Sequence, residues 1–148
     1  MNVVPTPLEG ALLLEPRVYV DERGFFLECW NAGRYQAAGI PGPFVQDNHS
    51  RSARHVLRGL HYQVERPQGK LVRVVHGEVY DVIVDLRRSS PTAGRWLGVT
   101  LSAADHRQLW VPPGFAHGFV VRSEYADFEY KCTEYYAPAL ERTLAWDA

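Results

Sequence analysis

The sequence predicts an all-β domain, a sandwich or a barrel, on three observations. Short runs rich in Val, Leu, Phe, Tyr and Trp recur along the chain, the composition of pleated, half-buried strands. The 12 glycines and 10 prolines are spread between these runs rather than gathered into one linker, so turn signals recur at regular spacing. About ten such runs occur without the crossover helices that a parallel sheet requires.

Taken in order, strands are expected near Leu12–Glu15, Phe25–Glu28, Phe44–Asn48, Val56–Tyr62 and Lys70–Val75, then near Val79–Leu86, Trp96–Leu101, Leu109–Val111, Gly118–Val121 and Phe128–Thr133. Two helical turns join them. Asn31–Ala38 has an N-capping Asn31 and a terminating Gly39, and Ser102–Arg107 has Ser102 and Asp105 at capping-box spacing. In Val79–Leu86 alternation places Val79, Asp81, Ile83 and Asp85 on one face and Tyr80, Val82, Val84 and Leu86 on the other. The second face is wholly apolar or aromatic and is expected to meet a core. The first mixes carboxylates with aliphatics, as solvent or a polar pocket wall would allow.

At 148 residues the chain makes one domain, 1–148, which buries roughly 68–70% of its unfolded surface and needs no staples. A net charge of −1 removes the basic footprint of a nucleic-acid binder. The longest apolar runs, such as Ala11–Leu14, are too short to cross a bilayer. The first residues, Met1-Asn2-Val3-Val4-Pro5, carry neither a basic region nor a long apolar one, so no signal peptide is expected. Two distant cysteines, Cys29 and Cys132, form no motif and read as small buried groups in a reducing cytoplasm.

Four segments set ionisable groups among strand formers: Asp21–Glu28, Gln46–Ser50, Arg58–Gln63 and Pro112–Phe119. Such groups cost desolvation unless paired, and barrel mouths are common ligand sites. His61 is the sharpest candidate, since an imidazole accepts a proton near neutrality; a backbone-satisfied core histidine is the plainer alternative. Lys70 opens a strand and is either solvated or placed to stabilise an oxyanion. Tyr130 shares a face with Phe128 and Cys132, as a core ring or as a phenolic acid. Arg23 and Arg58 suit phosphate. Strict alternation sets Arg58 and His61 on opposite faces, and a bulge at Gly59 would bring both inward. Barrels of this kind often hold a metal through closely spaced histidines. Here Gln63 stands two residues after His61, so that pair is missing, and no metal is expected.

Together the segments Asp21–Phe26, Gln46–Ser50, Arg58–Gln63, Gly69–Val72, Gly77–Asp85, Ser90-Pro91-Thr92, Gln108–Phe119 and Tyr130–Pro138 resemble, in order, the dTDP-4-dehydrorhamnose 3,5-epimerase family of the cupin superfamily. The resemblance implies a cupin-type jelly-roll barrel and epimerisation of a dTDP-4-keto-6-deoxyhexose at C3 and C5. It implies His61 as proton acceptor, Tyr130 as proton donor on the opposite side of the sugar, and Lys70 at the C4 keto oxygen. Arg23, Glu28, Gln46, Asn48, Arg58, His117 and Glu141 match substrate-contacting positions, and Tyr136 an aromatic stacked on thymine. It further implies a homodimer exchanging N-terminal strands, with no cofactor, no membrane and no nucleic acid. Members of the family continue past Trp146-Asp147 with a lysine that contacts substrate and an aspartate that orients the histidine. The chain is expected to lack that segment, with Asp81 or Asp85 in the aspartate's place on strand parity. The alternatives left open are a C3-only or C5-only epimerase, a keto-isomerase, a non-catalytic sugar-nucleotide binder and a metal-dependent cupin oxygenase.

Overall fold

The computed structural model describes residues 1–147. Thirteen strands form two facing antiparallel sheets and one hairpin. They run β1 Asn2–Pro5, β2 Leu12–Glu15, β3 Val18–Asp21, β4 Gly24–Leu27, β5 Gln46–Ala53, β6 Leu57–Gln63 and β7 Lys70–His76. They continue with β8 Glu78–Asp85, β9 Trp96–Ser102, β10 Gln108–Val111, β11 Phe115–Val121, β12 Tyr125–Cys132 and β13 Glu141–Thr143. The six-stranded sheet has the order β1-β2-β10-β7-β12-β5 and the five-stranded sheet β13-β6-β11-β8-β9, while β3 and β4 pair only with each other. This interleaved order of two closed sheets is a jelly roll, and the all-β expectation holds.

All ten expected strands are present, with ends shifted by a few residues. Three more, β1, β3 and β13, were not expected. Asn2–Pro5 and Glu141–Thr143 are short edge strands, exposed or charged, without the apolar alternation that marks a half-buried strand. Val18–Asp21 does alternate, but both its faces carry exposed side chains.

Helix α1 spans Ala32–Ala37, and the Arg34 N–H donates to the Asn31 side chain at 3.0 Å, as the cap predicts. Gly39 follows at φ +101°, the left-handed stop that glycine accommodates. Ser102–Arg107 is a correction. Its capping box forms both reciprocal bonds, Ser102 N–H to Asp105 Oδ2 and Asp105 N–H to Ser102 Oγ, each 3.2 Å. No helix follows, because His106 turns to φ +57° and β10 begins two residues later.

Between the sheets lies an apolar core that includes Val72, Val74, Ile83, Leu109, Phe119 and Phe128. Neighbouring residues on β7 and β10 divide their loyalties: Leu71 and Trp110 face a second cluster with Leu14, Tyr35 and Ile40, which seats α1 on the outer face of the six-stranded sheet. No helix among the described residues is long and apolar enough to cross a membrane. Both cysteines are free, Cys132 buried and Cys29 partly so.

Strand β8 reverses its expected orientation. Val79, Asp81, Ile83 and Asp85 are the buried side, and Tyr80, Val82 and Val84 are only partly covered. Two paired carboxylates decide this. Asp85 is fully buried yet accepts from Arg87 Nε at 3.0 Å, Ser90 at 2.5 Å and Thr92 at 2.7 Å. Burial pushes its carboxyl up, but those hydrogen bonds overcome the desolvation and hold it well below the usual carboxylate range. Asp81 is paired inside the barrel, as described below.

Strand β6 contains the bulge that Gly59 makes possible. His117 pairs with His61 and Phe119 with Arg58, so two residues of β6 stand opposite Gly118 alone. Gly59 adopts φ +99°, and a Cβ there would lie 2.5 Å from the His117 carbonyl oxygen and 2.7 Å from Gly118 Cα. Both obstacles are backbone and cannot swing away. Gly59→Ala is therefore expected to lose about 1–3 kcal/mol of stability, measured by urea unfolding. An unchanged midpoint would show that the bulge is not under this constraint.

Candidate active site

Alternation along β5, β6, β7 and β12 points polar side chains inward at one end of the barrel, where the apolar core gives out. They line a cavity of about 510 Å³. His61 and Arg58 come from β6, His117 from β11, Lys70 from β7, Tyr130 from β12, and Gln46 and Asn48 from β5; Tyr136 and Glu141 close the mouth. Nine of the eleven residues singled out in the sequence thus meet in one place. The bulge solves the Arg58 problem, since both Arg58 and His61 reach the cavity.

The other two do not line the cavity of their own chain. Arg23 sits at the tip of the β3–β4 hairpin, 85% exposed, in an ion pair with Asp21 at 2.6 Å. Glu28, just after that hairpin, binds Asn31 Nδ2 at 3.1 Å and the Arg34 guanidinium.

His61 belongs to the five-stranded sheet and Tyr130 to the six-stranded one, so imidazole and phenol stand on opposite walls. Lys70 lies on the strand beside Tyr130, with its ammonium 5.4 Å from the centre of the phenol ring. Burial lowers the His61 imidazole below its ordinary range; Glu141 opposes this, while Lys70, His117 and Arg58 add to it. The ring is thus poised neutral, as a base must be. Burial also lowers the Lys70 ammonium and raises the Tyr130 phenol, which stays protonated as an acid must.

The expectation that Asp81 or Asp85 orients His61 is corrected. Asp81 Oδ2 instead accepts from His117 Nε2 at 2.8 Å, and Asp85 is held by Arg87, Ser90 and Thr92. The carboxylate nearest His61 is Glu141, whose Oε1 lies 3.2 Å from Nδ1. Its angle is too poor for a hydrogen bond, and Nδ1 has no other partner. Glu141 also accepts from the Tyr136 hydroxyl at 2.7 Å.

In sequence Gln63 stands out only as the residue two positions after His61; in the structure it is a brace. Buried on β6, it donates to the carbonyls of Arg66 at 2.8 Å and Tyr135 at 3.0 Å, and accepts from the Ala137 N–H at 2.9 Å. Gln46 accepts from the Tyr136 N–H at 3.0 Å. Two amides thus pin Tyr136 over the cavity mouth. A glutamine flanked by apolar strand residues was the available signal. No cluster of three or more His, Cys, Asp or Glu placed to hold a metal ion exists among the described residues.

A cavity between two jelly-roll sheets, with His61 and Tyr130 on facing walls, defines a cupin-type barrel. The family profile described as dTDP-4-dehydrorhamnose 3,5-epimerase matches residues 5–148, and the chain belongs to that family. It is 57% identical over 148 residues to the dTDP-4-dehydrorhamnose 3,5-epimerase of Pseudomonas aeruginosa, spanning 99% of this chain and 82% of that one. A dTDP-6-deoxy-D-glucose-3,5-epimerase from Legionella pneumophila, solved with dTDP-4-keto-L-rhamnose, superposes with a TM-score of 0.95 at 54% identity, over 98% of this chain and 78% of that one. The dTDP-4-dehydrorhamnose 3,5-epimerase of Bacillus anthracis, solved with TDP and PPi, gives 0.95 at 46% identity, over 99% and 85%.

The geometry predicts how His61 titrates. By NMR its imidazole is expected below the usual value of about 6.5. Glu141→Gln, which removes the opposing carboxylate, should lower it further. A rise on that substitution would mean the carboxylate does not act on His61.

Proposed function

We propose that the protein epimerises a dTDP-4-keto-6-deoxyhexose at C3 and C5, and that the observation carrying this is the placement of His61 and Tyr130 on opposite walls with Lys70 alongside. A C–H beside a ketone is acidic only because its anion delocalises onto oxygen. His61 takes that proton, the C–H pair moves into the enolate, and the Lys70 ammonium stabilises the charge gathering on O4. Tyr130 then delivers its phenolic proton to the other face of the same carbon. Return from the His61 side would only restore the starting configuration. Solvent resets the imidazolium and the phenolate. Proton transfer leaves no electrons to pass on, so the three side chains suffice without a cofactor.

Arg58, Gln46, Asn48, His117 and Glu141 serve to hold sugar and diphosphate, and Tyr136, half-exposed at the mouth, offers its ring to thymine. Membership of this sugar-nucleotide epimerase family supports a cytoplasmic setting. The hairpin supports a homodimer with exchanged N-terminal strands. It pairs with no other strand, and Tyr19, Val20, Phe25 and Phe26 are 53%, 77%, 61% and 70% exposed. Such a surface requires cover. In a second copy it would carry Arg23 to the neighbouring cavity.

In heavy water with dTDP-4-keto-6-deoxyglucose, the protein is expected to place deuterium at both C3 and C5, followed by NMR. Exchange at one carbon would mean a single-centre epimerase, and none would sink the reading. His61→Ala should abolish exchange, losing at least the 10²–10⁴-fold typical of a positioned base, on the order of a thousandfold. Tyr130→Phe should leave exchange but block inversion. Activity should rise with pH through the lowered His61 value and fall as Lys70 loses its proton, below the usual lysine range.

Strand exchange has its own test. His61→Ala and Arg23→Ala chains, each weak alone, should recover about a quarter of wild-type activity when refolded together, because a mixed symmetric dimer contains one intact site. No recovery would place Arg23 in its own chain's function.

A further inference from the structure

The chain between β12 and β13 carries Tyr136 over the cavity mouth and lies outside any strand. Its backbone N–H and C=O groups still need partners, and side-chain amides supply them. The Glu134 carbonyl accepts from Gln68 Nε2 at 2.9 Å, and the Tyr135 carbonyl from Gln63 Nε2 at 3.0 Å. The Tyr136 N–H donates to Gln46 Oε1 at 3.0 Å, and the Ala137 N–H to Gln63 Oε1 at 2.9 Å.

Of these glutamines Gln63 binds the segment twice, once on each side of Tyr136. It is also the buried one, 7% exposed, while Gln46 and Gln68 are partly open. Its second Nε2 hydrogen goes to the Arg66 carbonyl at 2.8 Å. Both amide hydrogens and the oxygen are therefore in use, which permits one orientation of the group. The far end of the tyrosine is held as well. Its hydroxyl donates to Glu141 at 2.7 Å, and Glu141 pairs across β13 and β6 with Gln63 itself.

We propose that Gln63 is a positioning residue of the nucleotide subsite: by clamping the backbone on both sides of Tyr136, it pre-forms the aromatic surface that takes the thymine. This deepens the epimerase reading above and rests on it for the thymine.

The reason is entropic. A ring on a loose segment has to be ordered when a base stacks on it, and that cost weakens binding. Gln63 orders the segment beforehand. Loss of the amide would leave two carbonyls and one N–H to find other partners, so the segment would loosen. The barrel strands keep their own ladders, and the sites for the sugar and diphosphate stay as they are. The effect of Gln63 is thus confined to what Tyr136 contributes.

Gln63→Met tests this, because it keeps the length of the side chain and removes all three bonds. Without ligand, amide hydrogen exchange at Tyr136 and Ala137 should speed up by roughly tenfold or more, with Val72 and Phe128 in the core unchanged. Calorimetry should show affinity for dTDP reduced by roughly tenfold, as the loss of a stacked base predicts, and affinity for inorganic pyrophosphate unchanged. In a Tyr136→Ala background, Gln63→Met should cost dTDP nothing further. Equal losses in both backgrounds, or equal losses for dTDP and pyrophosphate, would overturn the proposal, since a general distortion of the cavity acts in that way. Unchanged exchange at Tyr136 and Ala137 would overturn it too. That arm needs no ligand, so it stands apart from a wild-type protein that binds no dTDP, which would sink the substrate reading instead. If Gln63→Met does not fold, Gln63→Asn replaces it, a neutral amide too short to reach Tyr135 and Ala137 at once, with the same outcomes deciding.

Discussion

Positive charge has to survive inside a barrel whose walls oppose it. Burial lowers both His61 and Lys70, and the same desolvation serves one and threatens the other. A neutral imidazole is what a base needs, so for His61 burial is helpful. A lysine that must meet an anion needs its proton, so for Lys70 burial is a cost to be offset. The carboxylates near these groups are unevenly placed: Glu141 lies at the mouth beside His61, and Asp81 lies fully buried with His117 as its partner. Charge complementarity here is a matter of depth as much as of sign.

The backbone carries the precision. Every proposed acid–base group stands on a strand, where neighbours in register fix its position better than a loop would. His117 is paired with His61 across β11 and β6, and Cys132 with Lys70 across β12 and β7. The bulge at Gly59 brings Arg58 and His61 to one wall, and a second register shift lies between β12 and β7 at Asp127–Phe128. The mouth is different. Tyr136 lies beyond the last residue of β12, and there side-chain amides, Gln63 and Gln46, replace the ladder as the brace.

Strand positions were legible because half-buried strands advertise themselves through β-branched and aromatic runs between turn residues. What local pattern could not convey was which face a mixed strand buries. On β8 the apolar side looked like the core side, yet Asp81 and Asp85 are the buried ones. Each carboxylate owes its place to partners distant in sequence or in a following turn, His117 for one and Arg87, Ser90 and Thr92 for the other. Alternation gives parity and says nothing of pairing. The capping box at Ser102 fails for a related reason: its two bonds are local and do form, but helix continuation depends on the residues after it. Of the site residues that the family resemblance names, nine line one cavity, while the partner of Asp81, His117 rather than His61, and the bracing by Gln63 are not legible because both depend on contacts distant in sequence.

Inversion at carbon imposes a demand that a single sheet cannot meet. Donor and acceptor must approach one carbon from opposite directions, and side chains on one face of a sheet all approach from the same one. Two sheets closed around a cavity remove the difficulty, since their inward faces oppose each other by construction. The jelly roll therefore does more than display residues: on the proposed reading, its sandwich geometry sets the angle between His61 and Tyr130. The exposed β3–β4 hairpin follows the same logic one level higher. Arg58 is the one arginine among the described residues lining the cavity, so on the proposed reading further cationic grip on the diphosphate would come from a second chain's Arg23.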